Sequence, residues 1–456
     1  MAGESDTLAE GFAEFHARFA PYFFRAEVRE RSRGYLRALL APVERKNGWQ
    51  LAEAMGEADP NGAQRLLYAA VWPEAAVQRE LARFVWEHFG DPVGGIFLLD
   101  ETGFVKKGTE SVGVQRQYSG TAGKVENCQI GVLLAYTSPL GTAFLDRRLY
   151  LPKVWAEDPA RREKAGVPVS AAFQTKPQLA RAMWAEARAL GLRAGWVAAD
   201  EVYGADEALR AALEAGGQAY VLAVRCDELL LTEGSPDWPL RADEVAASRT
   251  AADWRRRSVA EGSKGPRLYD WATVALAEPA PEGFRHHLLV RRSPADPGEL
   301  AYYRVCAPAG TGPADWARVA GARWAIEQGI AEAKGEAGLD HYEVRSWRSW
   351  HRHLTLSLLA HAFLARARQR ANAAAQAPVG GEKGEAGRDP RAGRAERARD
   401  PALAPRDAAP ARQLARIPPG LVRLAAPSPG DRPPLPLSPP RPPSRPLPSH
   451  LNHLRL

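Results

Sequence analysis

Apolar residues change their spacing near Gly94, and that change constrains the fold more than any other feature of the chain. Before it, Phe12, Phe15 and Phe19, then Tyr35, Leu36, Leu39 and Leu40, recur at the intervals of a helix face, and no strand pattern appears. After it, the short apolar run 96–99 ends on Asp100, and segments 112–118 and 129–136 have strand character. A helix over about 176–190, a second apolar run 196–199 ending on Asp200, a helix over about 205–215 and a strand over 220–224 follow. Three strands, then helix, strand, helix and strand, predict an α/β sheet with mixed strand directions.

The flanks differ from this core. Residues 1–92 predict an all-α N-terminal domain, in which Asn47 caps a helix through Trp49, Leu51 and Met55. Gly56 and the run Asp59-Pro60-Asn61-Gly62 then turn the chain into a second helix over 63–71. Such a pair fits a helix-turn-helix, which would make this a DNA-binding domain, or an ordinary helical hairpin packed in a bundle. Residues 93–225 form the first part of the α/β core, and 226–312 a smaller β-rich insertion with strand-like pieces at 269–276, 286–290 and 301–305. Residues 313–370 complete the core as a helical stretch interrupted at Gly338. The segment 371–456 holds 18 of the 37 prolines and no apolar periodicity, which predicts a disordered Pro/Arg-rich tail.

The 61 Lys+Arg exceed the 54 Asp+Glu by seven, a balance that points toward phosphate-bearing or anionic partners. All of the excess lies in 371–456, where 13 Arg and one Lys face seven acids; the other 370 residues carry 47 charges of each sign. Evidence for a partner of the core must therefore come from the placement of single charges. No stretch approaches the ~20 apolar residues of a membrane span, and the start MAGESDTLAE is unlike a signal peptide, so a cytoplasmic protein is expected. With 51 Arg against 10 Lys and abundant Ala, Gly and Pro, the composition suggests a high-GC bacterial source. Cys128, Cys226 and Cys306 show neither paired-cysteine nor Cys/His ligand spacing, which predicts three buried, inert thiols in place of a disulfide framework or zinc finger.

Asp100 and Asp200 each end an apolar strand pattern, and the carboxyl ends of strands are where an α/β sheet presents ligands. Either one alone is also an ordinary strand-terminating residue. A third carboxylate stands in the run from Arg323 to Lys334. Steps of four and eleven residues at ~100° place Arg323, Glu327 and Lys334 within about 40° on one helix face. Trp324, Ile326 and Ile330 crowd that run, which predicts a partly buried helix. Glu101 and Glu201 compete with the aspartates before them, since strand alternation favours one of each pair without choosing it. The pair His351 and His353 lacks a third ligand nearby and predicts a solvated helix face, whereas Trp347 and Trp350 predict core.

Asp100 in FLLDETGFVKKG, Asp200 in VAADEVYG and the run Arg323, Glu327, Lys334 together resemble the three acidic motifs of DDE transposases of bacterial insertion sequences. The last motif of that branch reads Tyr-x2-Arg-x3-Glu-x6-Lys; the Arg, Glu and Lys match at the family spacing, and Ala320 stands where the tyrosine would be. The runs 43–50, 111–124 and 126–129 are also similar to the family, so the resemblance spans about 10–370. It implies a ribonuclease-H-like catalytic core whose insertion falls between the second and third acids. Here 99 residues separate Asp100 from Asp200 and 126 separate Asp200 from Glu327, and the β-rich segment lies in the second gap.

The resemblance further implies that Asp100, Asp200 and Glu327 are catalytic and hold two divalent ions, Asp100 bridging both. Oxygen-only ligands suit Mg²⁺ or Mn²⁺. On this reading Arg323 and Lys334 clamp the phosphate, and Lys106, Lys107, Arg116 and Lys124 hold flanking DNA backbone. The partners implied are double-stranded DNA, as element ends and target site, and a second copy of the chain on DNA. Two other readings remain at this point: a decayed or co-opted DNA-binding protein of the same descent, and a metal-independent glycoside hydrolase with paired carboxylates. The second has no need of cations flanking its acid.

Overall fold

The computed structural model describes residues 2–120, 123–262 and 265–376. The expected tail lies outside the described residues from 377 onward. Its first six positions, Ala-Asn-Ala-Ala-Ala-Gln, continue the last helix, as their high helix propensity permits. The motif positions Thr121 and Ala122 also lie outside the described residues.

Five helices open the chain: α1 (Ala2–Phe19), α2 (Ala26–Leu40), α3 (Gly48–Met55), α4 (Asn61–Tyr68) and α5 (Glu74–Phe89). The Asn47 side chain accepts from the Trp49 and Gln50 amides and so starts α3, and Gly56 ends it at φ 80°, a conformation that favours glycine. These helices share one hydrophobic core with the sheet that follows. The Phe15 ring meets Phe84 at 5.0 Å and Phe363 of the last helix at 5.5 Å. Buried Arg352 of that helix donates to the carbonyls of Leu66, Leu67 and Trp72.

The sheet strands are β1 (Ile96–Val105), β2 (Gln115–Ser119), β3 (Lys124–Ser138), β4 (Gly141–Tyr150), β5 (Trp196–Ala199) and β6 (Ala219–Val224). Between β4 and β6 lie α6 (Lys153–Ala156), α7 (Pro159–Ala165), α8 (Lys176–Ala189), α9 (Glu201–Gly204) and α10 (Glu207–Ala215). Long strand β3 pairs β1 along one stretch and takes β2 and β4 on successive stretches, all antiparallel; β1, β5 and β6 run parallel. The order β4-β3-β1-β5-β6 is a mixed sheet compatible with a ribonuclease-H-like core.

The next segment contains β7 (Leu229–Thr232), β8 (Ser235–Arg241), α11 (Ala242–Ala247), β9 (Arg255–Gly262), β10 (Gly265–Ala275), β11 (Phe284–Arg292) and β12 (Leu300–Pro308). It is β-rich and does not stand apart. Strand β12 pairs antiparallel with β6, so the main sheet continues through β12, β11 and β10 to an edge at β9. A small second core of Val224, Leu230, Val245, Leu276, Leu288 and Val290 fills the space under the β7-β8 hairpin and α11. The chain closes with α12 (Pro313–Ala322), α13 (Trp324–Ala337) and α14 (Trp347–Gln376).

Two expectations about single residues are corrected. His351 and His353 do not face solvent: both are buried, His353 bonding the Tyr35 hydroxyl and the Gly338 carbonyl, and His351 the Trp347 carbonyl. Their polarity is satisfied inside by tertiary partners that spacing does not reveal. Cys128 and Cys306 are buried, but Cys226 is exposed, in the turn that follows β6. Trp350 is core, its indole N–H donating to the Tyr342 hydroxyl. No helix among the described residues is long and apolar enough to cross a membrane.

Candidate active site

Parallel pairing of β1 with β5 sets the site. Its register joins Ile96 to Trp196 and ends at Leu99 with Ala199, so the next residue on each chain is an aspartate, Asp100 beside Asp200. Neighbouring strands lie roughly 4.8 Å apart, which brings the two carboxylates together. They reach that point differently. Asp200 follows the end of β5 and caps α9, accepting from the Val202 amide at 2.9 Å. Asp100 is not at a strand end, contrary to the sequence reading, because β1 runs five residues further against β3. It sits where β5 stops.

The third carboxylate arrives on α13. Arg323, at the joint between α12 and α13, keeps right-handed helical angles, so its four-residue step to Glu327 survives the break. Its guanidinium lies 2.6 Å from Glu327 and 3.5 Å from Asp100. One cation thus links the first and third acids. Burial, and then the charge of Asp200, push the Asp100 carboxyl up to about 7; Asp200 is also raised, by burial first and then by Glu101.

Glu101 and Glu201 differ from the aspartates in their surroundings. Glu101 forms an ion pair with Lys176 at the start of α8 and accepts from the buried Tyr203 hydroxyl at 2.6 Å. Glu201 is exposed on α9. Neither Lys176 nor Tyr203 was singled out from the sequence, since the contact depends on α8 and α9 folding over β1.

Lys334 is not with Arg323. Its ammonium donates to the Gly103 carbonyl at 3.2 Å and lies 5.8 Å from the Phe104 ring. Seven residues of helix rise about 10.5 Å, and three residues of strand span about 10 Å, so α13 and β1 keep step and Lys334 stands one site-length beyond the carboxylates. Lys106 is also turned inward: its ammonium lies 3.5 Å over the Tyr342 ring and donates to the Tyr342 carbonyl, and burial lowers its pKa to about 8. Lys107, Arg116 and Lys124 are exposed, Lys124 paired with Glu126 at 2.9 Å.

A polar cavity of about 500 Å³ opens beside the trio, lined by Asp200, Glu201, Arg323 and Glu327 on one side and by Arg267, Tyr269, Arg291 and Tyr303 of β10 to β12 on the other. Ala320 borders it too, and the Arg267 guanidinium stacks at 3.8 Å on half-exposed Trp324. Sequence reasoning missed Arg267, Tyr269, Arg291 and Tyr303 because they belong to β10 to β12, which carry no acidic motif.

The arrangement is a carboxylate trio with one cation among it, at the rim of a cavity with further cations: chemistry suited to divalent ions and a phosphate backbone. The family model described as DDE superfamily endonuclease matches residues 18–266. A relative described as a probable transposase for insertion sequence element IS701, from Microchaete diplosiphon, is 23% identical over 316 residues, covering 66% of this chain and 75% of its own length.

Proposed function

The chain belongs to the DDE superfamily endonucleases, and on that premise we propose that it is the transposase of an insertion sequence. It would cleave DNA at the element's ends and join those ends to target DNA, acting as a pair of copies on double-stranded DNA. The observation that carries this reading is the shared register of β1 and β5, which sets Asp100 beside Asp200 while Arg323 ties Asp100 to Glu327. Family membership removes the glycoside hydrolase reading, and the intact trio argues against a decayed one.

The donor set fits divalent cations. Arg323 pairs with Asp100 and Glu327, and Asp100 lies buried beside Asp200; burial first, and then the Asp200 charge, raises the Asp100 carboxyl, a cost that a bound divalent ion would relieve. Mg²⁺ or Mn²⁺ held by Asp100, Asp200 and Glu327 would supply activation of the attacking oxygen and stabilisation of the leaving oxygen. The protein's own residues do the positioning. Glu101, held by Lys176 and Tyr203, fixes β1 against α8 and α9, so that Asp100 keeps its place. Arg323 is free to exchange carboxylate for phosphate oxygens, both of which suit its planar fork. Arg267 and Arg291 would face the backbone on the far side of the cavity. Lys334, joined to the β1 backbone, supports the strand carrying Asp100 more than it clamps phosphate. Lys107, Arg116 and Lys124 keep the flanking backbone as their proposed contact.

The test is a set of three conservative substitutions, Asp100→Asn, Asp200→Asn and Glu327→Gln. Each should bind a duplex of the element's end sequence like the parent and lose Mg²⁺-dependent nicking of it. Full cleavage by any of the three overturns the assignment; a parent protein that binds the ends and never cuts them returns the co-opted reading.

A further inference from the structure

We propose that Glu214, His286 and Cys306 form a zinc site that clamps α10 to the sheet, apart from the carboxylate trio. Their donor atoms all lie within 4.8 Å of one another. The placement comes from strand register. His286 of β11 pairs with Cys306 of β12, and Cys306 pairs with Tyr220 of β6, so the three side chains form one rung across adjacent strands. Glu214, on the last turn of α10, reaches over that rung. Its carboxylate accepts from the Tyr220 hydroxyl at 2.7 Å and lies 3.8 Å from His286 Nε2.

Several features ask for a ligand here. His286 is 4% exposed and its Nδ1 makes no hydrogen bond, while Nε2 stands beyond hydrogen-bond reach of Glu214. Cys306 is fully buried beside an acidic side chain, and burial with that charge pushes its thiol up to about 12. Arg304, the nearby cation, is already paired with Glu228 and Glu278. A divalent ion answers all of these at once.

Nitrogen, sulfur and oxygen donors together select Zn²⁺ over Mg²⁺. Tetrahedral zinc with bonds of about 2.0–2.3 Å sets its donors roughly 3.3–3.6 Å apart, so the three protein donors need move by no more than about 1 Å, with a water completing the four. Binding would release the Cys306 thiol proton; neutral imidazole, thiolate and carboxylate then leave the site with no net charge, as a buried site requires. Tyr220, hydrogen-bonded to Glu214, would orient the carboxylate from behind. The consequence is mechanical. Helix α10 begins seven residues after Asp200, and the clamp would fix it to β11 and to β12, the strand that pairs with β6 of the main sheet.

The experiment uses the full chain, stripped with a chelator and titrated with Co²⁺ and then Zn²⁺. One equivalent of Co²⁺ should give the near-ultraviolet thiolate-to-cobalt absorption of a tetrahedral site, removed by Zn²⁺ and untouched by excess Mg²⁺. The carboxylate trio has no thiolate and cannot produce that band. Cys306→Ser should abolish it and lower zinc affinity at least tenfold, His286→Gln should do the same, and Cys226→Ser should leave it unchanged. A parent protein whose cobalt complex lacks the band, or a band that persists in Cys306→Ser, overturns the proposal. Neither result bears on the nicking assay, so the two readings stand or fall separately.

Discussion

Replacing Asp100 by Asn should make the metal-free protein more stable, by an amount that depends on pH. Asp100 is 8% exposed, and its carboxyl is raised from 3.8 to about 7 by burial and by Asp200. Between those two values the native state holds a proton that the unfolded chain has lost, so stability falls as pH rises through the window and levels off above about 7. At 1.36 kcal/mol per unit, the ionised carboxylate costs ~4 kcal/mol above the window. Asparagine removes that cost and keeps the shape, and its carbonyl oxygen can still accept from the Glu101 amide, now 2.7 Å from Asp100. An unfolding entropy of ~2.1 cal/mol/K per residue over roughly 370 folded residues converts ~4 kcal/mol to ~5 °C. Thermal melts in EDTA should therefore place Asp100→Asn ~5 °C above the parent at pH 8 and only ~2 °C above it at pH 5. A variant less stable than the parent at pH 8, or a difference that does not shrink in acid, would refute the claim that the Asp100 carboxylate is held against its burial and the charge of Asp200.

Two further outcomes test the frame around the site. Arg352→Met should lower stability by ~3 kcal/mol, read as a shift in the urea midpoint, because it strands the Leu66, Leu67 and Trp72 carbonyls under α14; an unchanged midpoint would mean that the N-terminal helices are not anchored there. Truncation after Gln376 removes 14 basic and seven acidic residues, and should weaken and flatten salt-dependent binding to arbitrary duplex while leaving metal-dependent nicking intact; loss of nicking would assign the tail a catalytic part.

The signals that survived into the structure are those whose meaning is local. Asn47 and Gly56 bound α3 because a cap and a left-handed turn are decided within a few residues. Asp100 and Asp200 were readable because each follows an apolar run of the same length, and a shared parallel register sets the two side by side. What escaped was set by neighbours far along the chain. Strand β4 hides its pattern behind Asp146, Arg147 and Arg148; Arg147 is nonetheless buried, bonding Glu74 of α5 and Thr355 of α14. Edge strand β9, with its three consecutive arginines, is polar because it pairs on one side only. His286 and Cys306 stand twenty residues apart, a spacing that signals nothing until β11 and β12 pair. Lys334 shows the limit of the helical wheel itself. The wheel put Arg323, Glu327 and Lys334 on one face correctly, but a projection down the axis discards rise, and two turns of rise carry Lys334 past Asp100 to Gly103. A shared face is therefore evidence for a shared site only when the residues are also within about one turn of each other, as Arg323 and Glu327 are.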